Sequence, residues 1–378
     1  MPNLLRFLPL PAAALAFAAL LASAQPAAAQ PSGRAVLTGT VTDAAGGAPL
    51  AGAHVFIASS MQGTVTDADG RYRLTDVPLG AHRLYVSIVG FEPGFVDVLL
   101  REPREHAYDF RLAESVVELG QVTVTGEQDP RWRERLQKFV RLFVGETPNA
   151  AQTEILNPEV LDFEEKAGLF RARAAEPLQI ENRALGYRIT YFLKNFEATP
   201  TRVKYDGEPL FEPLGPDGPD EAAIWSAKRR EAYLGSFRHF ILAAMDGTLE
   251  RQGFHLYHRQ LGGPAAGPMP LSGPRPGGGR FPLKPDALFS EGDAPNEKKL
   301  DFKGYVEFVY EGEVEDEAFL KWAQRPGRPK FQTSMLLLEN GPTVVDYKGD
   351  TLDPYGVTFF GYLAFERVAD EVPKEYRP

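Results

Sequence analysis

The chain has 378 residues, a formal charge of −10 and no cysteine. Missing thiols exclude disulfides, a cysteine nucleophile, thiolate metal sites and a lipidated N-terminal cysteine. The acidic balance repels nucleic acid and anionic lipid, so nucleic acid is not an expected partner and contact with a membrane is peripheral at most.

Residues 1–29 read as a removable export signal. Arg6 is the only charge before position 30, and Leu8–Leu21 is rich in Leu and Ala. That run, of about fourteen residues, is short for a membrane-spanning helix, which needs roughly twenty. Ala22-Ser23-Ala24 and Ala27-Ala28-Ala29 are the two small-residue cleavage sites, so the mature chain is expected to begin at Gln25 or Gln30. Export without disulfides suits the periplasmic or cell-surface side of a Gram-negative envelope.

From Val36 to about Leu112, short alternating runs of Val, Thr, Tyr and Leu are broken by Gly, Asp and Pro, which predicts about seven strands in a small sandwich. The run Asp67-Ala68-Asp69-Gly70 predicts a tight turn; the later ligands of a calcium loop are missing. Three segments here, Thr38-Gly39-Thr40-Val41-Thr42-Asp43, Pro49-Leu50-Ala51-Gly52-Ala53 and Gly63-Thr64-Val65-Thr66-Asp67-Ala68-Asp69-Gly70-Arg71-Tyr72, resemble the carboxypeptidase regulatory-like domain. That resemblance implies a transthyretin-like Greek-key β-sandwich over residues 35–115, of a kind common in Bacteroidetes-type envelope proteins, and expected to fold alone. It implies no peptidase activity, because in metallocarboxypeptidases the module accompanies a separate zinc domain. Leu119-Gly120-Gln121-Val122-Thr123-Val124-Thr125-Gly126 resembles the segment leading into the plug of TonB-dependent receptors, but no plug or barrel follows; residues 116–129 are expected to form a linker strand.

A mainly β chain with a second, α+β domain of unassigned fold over 130–378 is the expected architecture. After Pro130, Trp132, Leu136, Phe139, Val140 and Phe143 recur at helical spacing, and Gly145 ends the run. Strands are predicted at 169–174, 178–182, 187–196, 301–310, 331–339 and 344–348. One helix is predicted from Asp220 to about Ala244, with Gly235 inside it marking a close backbone approach. Residues 262–285, more than half Gly and Pro, are expected to be a surface loop without regular structure. Ile180-Glu181-Asn182-Arg183-Ala184-Leu185-Gly186-Tyr187, Arg229–Phe240 and Phe365-Glu366-Arg367-Val368-Ala369-Asp370 resemble the C-terminal region of an exported bacterial family named only for its sandwich, which implies no activity.

The search for chemistry returns weak candidates. None of the six histidines is followed by Glu at the third position, as an H-x-x-E zinc spacing requires. His255 and His258 are three apart in a strand-like run, so they point to opposite faces and cannot share a metal. No G-x-S-x-G elbow exists; Ser236 and His239 stack on a helix, with a buried hydrogen-bonded role expected for the histidine. Among the abundant carboxylates Glu181 is the first to inspect, with an ion pair to Arg183 or Arg188 as its structural role. No catalytic residue, metal or cofactor is expected. The reading is an exported envelope binding or scaffolding protein whose partner is a glycan or an outer-membrane protein. A hydrolase with its site in the C-terminal domain, and an accessory of a TonB-linked uptake system, are the alternatives.

Overall fold

Alternating burial from Arg34 to Leu112 builds eight strands where the sequence suggests about seven. These are β1 (Arg34–Asp43), β2 (His54–Ile57), β3 (Gly63–Val65), β4 (Arg71–Pro78), β5 (Gly80–Ser87), β6 (Gly94–Leu100), β7 (Glu105–Ala107) and β8 (Phe110–Leu112). β1 pairs antiparallel with β4 and parallel with β7 and β8, and the facing sheet runs β3-β2-β5-β6. Leu37, Val41, Val55, Tyr72, Leu84 and Val98 fill the space between the sheets. The Asp67 carboxylate accepts the N–H groups of Asp69 and Arg71 while Gly70 takes φ +71°, so the D-x-D-G run closes a turn. The architecture is the mainly β one expected, opening on a two-sheet sandwich.

This computed structural model describes residues 33–115, 130–260, 270–273, 279–292, 298–325, 327–346, 348–351 and 353–378. The expected signal peptide, the linker strand at 116–129 and most of the Gly/Pro-rich segment lie outside the described residues.

The C-terminal region holds two larger sheets, each covered by a helix. α1 (Pro130–Phe143) precedes β9 (Thr153–Ile155), β10 (Leu161–Lys166), β11 (Leu169–Ala174), β12 (Leu178–Asn182), β13 (Tyr187–Thr199) and β14 (Arg202–Pro213). These strands order as β10-β11-β13-β12-β9, with β14 also paired to β13. The apolar stripe of α1 faces them: Phe139 and Phe143 are fully buried, among Phe163, Phe196 and Tyr191. Next come α2 (Pro219–Tyr233), α3 (Phe237–Met245), β15 (Phe254–Gln260), β16 (Gly279–Pro282), β17 (Phe289–Glu291), β18 (Lys298–Leu300), β19 (Tyr305–Val314), α4 (Glu317–Trp322), β20 (Phe331–Leu338), β21 (Thr343–Val345), β22 (Val357–Gly361) and α5 (Tyr362–Phe365). Their main sheet is β16-β15-β19-β20-β22, beside a small sheet β17-β18-β21. α3 packs on the main sheet through Phe240, stacked 4.4 Å from Phe308.

Two expectations are corrected here. The single helix over 220–244 is two helices, broken at Leu234–Ser236. Gly235 takes φ +77° and Ser236 caps α3, its hydroxyl accepting the His239 N–H. The close approach at Gly235 is present, since a Cβ there would stand 2.1 Å from Gln332 Oε1 and 2.9 Å from Tyr310 Cδ1. Gly235→Ala is therefore expected to destabilise the protein by about 1–3 kcal/mol, read as a lower urea midpoint at unchanged slope. The second correction concerns residues 262–285, where Gly279–Pro282 forms β16 on the edge of β15. An edge position needs no outward donor, so Pro282 is tolerated there.

The sandwich docks onto the C-terminal region through an aromatic seam. Phe56 and Tyr85 pack with Phe192 and Leu210, and Phe56 stacks on Phe192 at 4.8 Å. Backbone bonds flank it: Ser60 C=O accepts the Phe211 N–H and Ser59 C=O accepts the Lys374 N–H, both at 2.9 Å.

Candidate functional site

Beside this seam lies a cavity of about 1050 Å³. Its sandwich wall is the start of β5 and the end of β6. Its other walls are β14, the 346–354 loop and the C-terminal segment from Glu366 to Lys374. Each wall is fixed by local chemistry. Asp346 Oδ1 accepts the N–H groups of Lys348 (2.8 Å) and Asp350 (3.0 Å), which folds the loop back on itself. The C-terminal segment is held by Asp370, whose carboxylate accepts hydrogen bonds from Thr147 and Asn149. Fully buried Asn182 secures the same segment from β12, donating to Ala369 C=O at 2.9 Å.

Eight Asp or Glu and six Lys or Arg side chains line the cavity. Most have partners in the protein. Arg238 donates through its terminal nitrogens to the carbonyls of Val372, Pro373 and Tyr376. Lys374 pairs with Asp350 at 2.6 Å, and Arg83 with Asp97 at 2.9 Å. His82 Nε2 lies 2.6 Å from Pro78 C=O, so it carries the proton and leaves Nδ1 to accept from Lys348 Nζ at 2.8 Å. Burial and the Lys348 ammonium push that imidazole down to about 3, and burial and Lys374 push Lys348 down to about 8.

Three groups stand apart. The Glu366 and Glu371 carboxyls have no hydrogen-bond or ion-pair partner among the described residues. Arg238 is 8% exposed, and its Nε is buried without an acceptor. Burial, with Asp350 and Asp370 nearby, raises Glu371 to about 7. Burial, then Asp370, Glu313 and Asp316, holds Glu366 well above the carboxylate range. Both residues are partly buried, and both line the cavity.

Of the residues singled out in the sequence, only Ser236 reaches this cavity. Its hydroxyl donates to Tyr233 C=O at 2.6 Å as it caps α3. His239 is buried, its Nδ1 accepting the Gly235 N–H. Glu181 is spanned by Arg183 (2.8 Å) and Arg188 (2.9 Å) on the outer side of β12. His255 and His258 lie on β15, three apart, and His255 pairs with Glu311 at 3.1 Å. With that pair half-exposed, His255→Ala is expected to change stability by less than about 1 kcal/mol in thermal unfolding, with no loss of bound metal. Among the described residues no three His, Asp or Glu side chains are grouped to hold a metal ion. Glu366 and Glu371 were not singled out, although a signal for them exists: Glu366, Arg367, Asp370 and Glu371 interrupt the apolar run that begins at Val357.

No helix among the described residues is long and apolar enough to cross a membrane. No curated protein matches the chain. Among solved structures it is similar to 5-hydroxyisourate hydrolase from Klebsiella pneumoniae, at 22% identity over 21% of this chain and 91% of that one, with a TM-score of 0.17. A putative carbohydrate binding protein from Bacteroides uniformis matches at 12% identity over 42% of this chain and 60% of that one, TM-score 0.19. Catechol 1,2-dioxygenase from Acinetobacter sp. ADP1 matches at 17% identity over 24% of this chain, TM-score 0.19, and the chain spans about half of that enzyme's length (55%). The model of the CarboxypepD_reg-like domain matches residues 37–124, over the alternating strands and D-x-D-G turn of the sandwich, and this N-terminal part of the chain is a carboxypeptidase regulatory-like domain.

Proposed function

We propose that the chain is an exported envelope binding protein that holds a glycan in the cavity between the sandwich and the C-terminal region. The observation that carries this is the set of polar groups left without partners there. The Glu366 and Glu371 carboxyls line the cavity with no hydrogen-bond partner among the described residues. A sugar hydroxyl both donates and accepts, so a polyhydroxyl ligand can pair with a carboxyl in either protonation state. Tyr191, Tyr205 and Phe237 also line the cavity. The volume suits a short oligosaccharide. The export signal read at residues 1–29 supports a periplasmic or cell-surface location.

A hydrolase is the second reading, favoured by two neighbouring carboxyls whose titration is driven apart. Glu371 is raised, while the Lys374 ammonium helps hold Asp350 low. Asp350 is committed to its 2.6 Å pair with Lys374, however, which leaves it poorly placed to attack a substrate or activate water. Binding is the preferred reading for that reason.

Calorimetric titration with short envelope oligosaccharides tests the proposal, against wild type and an Ala81→Trp variant that fills the cavity from β5. Saturable binding lost in the variant, at unchanged folding, is the expected result. Equal binding by both proteins would move the site elsewhere, and release of reducing sugar would favour the hydrolase.

A further inference from the structure

Two lysines line the cavity, and their surroundings treat them oppositely. Lys374 Nζ lies 2.6 Å from the Asp350 carboxylate. Burial works against its charge, but Asp350 and Asp346 outweigh burial and raise the ammonium above its ordinary value. Lys348 Nζ has a neutral acceptor instead, His82 Nδ1 at 2.8 Å. Burial, then the Lys374 ammonium, bring Lys348 down to about 8. An amine beside a second cation, with an uncharged acceptor, gives up its proton more readily than one paired with a carboxylate.

This pair is assembled from both units of the chain. His82 stands on β5 of the sandwich, and its Nε2, 2.6 Å from Pro78 C=O, turns Nδ1 toward the lysine. Lys348 stands on a pinned turn of the C-terminal region. Asp346 Oδ1 accepts the N–H groups of Lys348 and Asp350, and the Asp346 N–H donates to Asp350 C=O at 2.8 Å. Gly349 takes φ +89°, where a Cβ would stand 2.8 Å from Arg238 Cγ. The charged groups acting on Lys348 are Lys374 and Glu375 from the C-terminal segment and Asp346 and Asp350 from its own loop. Arg238, which packs on Gly349 from α3, gives its terminal nitrogens to three carbonyls. Lys348 itself is only partly buried.

We propose that Lys348 is a nucleophilic amine that captures the carbonyl group of an aldehyde or ketone ligand as an imine, with His82 as its positioning residue. Nucleophile, acceptor and orienting carbonyl stand in a chain at hydrogen-bond distances, the arrangement that activated nucleophiles use. The neutral amine can donate one N–H to Nδ1 and attack the carbonyl carbon through its lone pair. The C–N bond forms as the carbonyl π pair moves to oxygen, which is protonated to give a carbinolamine. Loss of that oxygen as water, carrying away the two amine hydrogens, leaves the C=N bond; no oxidant or reductant is needed. The protonated imine again has an N–H to give to Nδ1. His82, pushed down to about 3 by burial and by Lys348, stays neutral throughout, so it orients the nitrogen and does not store its proton. The open-chain reducing end of a sugar carries such a carbonyl, so the site is compatible with the glycan reading without depending on it.

Glyceraldehyde with sodium cyanoborohydride, which reduces the imine to a stable secondary amine, tests this on the full chain, with peptide mass mapping as the readout. At pH 7, Lys348 is expected to be modified at least about tenfold faster than an ordinary exposed lysine, with Lys166 and Lys321 as internal references. Its rate should level off above about pH 8, whereas an ordinary lysine's climbs until about pH 10. Modification of Lys348 no faster than the two references, or a rate still climbing at pH 10, would overturn the proposal. His82→Leu should slow capture at Lys348 about tenfold even at pH 9, where the amine is already mostly neutral. An unchanged rate there would remove His82 from the site. Capture at Lys348 without sugar binding in the calorimetric titration would leave this site standing and the glycan reading refuted; the reverse result would refute this site alone.

Discussion

Truncating Phe56 to Ala is expected to cost about 3–5 kcal/mol of stability and to loosen the sandwich from the C-terminal region. Phe56 is fully buried, between Tyr85 at 5.2 Å and Phe192 at 4.8 Å, in a cluster that belongs to neither unit alone. Removing the ring leaves a void where the two parts meet. Two backbone hydrogen bonds at Ser59 and Ser60 remain beside it. Urea unfolding followed by tryptophan fluorescence, with limited proteolysis in parallel, reads the effect. The expected result is a lower midpoint together with faster cleavage between the units. A loss below about 1 kcal/mol would mean that the seam contributes little and that the cavity wall is not held by it. The sandwich has a core of its own, but released alone it would bring Phe56 and Tyr85 into water.

Replacing Glu371 by Gln is expected to raise stability at pH 8 and leave it nearly unchanged at pH 4. The folded protein raises this carboxyl from 4.5 to about 7, by burial and by Asp350 and Asp370. A carboxyl raised on folding contributes its full stabilisation below the unfolded value, and that contribution is lost as pH rises through the folded value. Above about pH 7 the wild type carries a poorly solvated charge that Gln lacks. A shift of this size corresponds to roughly 1.4 kcal/mol per pH unit, and water reaching the cavity side trims the expected gain to about 2 kcal/mol. Thermal unfolding of both proteins across pH 4–9 reads the crossover. Parallel curves would show that Glu371 is solvated like a surface carboxylate. Glu313, also raised to about 7 by burial and by Glu231, should behave in the same direction in its own Gln variant.

Much of the fold was legible where periodicity was strong. The alternating strands of the sandwich, the Asp67–Gly70 turn and the stripe of α1 follow from spacing alone, because each buries one face against a neighbour. β14 was not legible. Gly207, Pro209 and Pro213 read as turn residues, yet β14 lies at a sheet edge, where a missing donor is tolerated. That strand matters because it carries Tyr205 and Glu208 into the cavity wall. The break at Gly235 was hidden for a different reason: the apolar positions on either side keep helical spacing, and only the φ of one glycine interrupts it. The site itself was least legible. Arg238, Asp350, Glu366 and Glu371 converge from α3, a loop and the C-terminal segment, and no short motif joins them. The histidines attracted attention as chemistry-bearing residues, but they are placed as a cap-side acceptor (His239), a surface pair (His255) and a relay between Pro78 and Lys348 (His82). Charges set within an apolar C-terminal run were the better signal, since burying a carboxyl is costly unless something answers it.

A crystal structure grown with the short oligosaccharide that binds tightest in the calorimetric titration tests the central claim most directly. The account predicts density for the sugar in the cavity, with a hydroxyl within hydrogen-bond distance of Glu371 or Glu366. Sugar bound on the outer face of the β15–β19 sheet beside Tyr257 and Arg280, with the cavity holding only water, would contradict it.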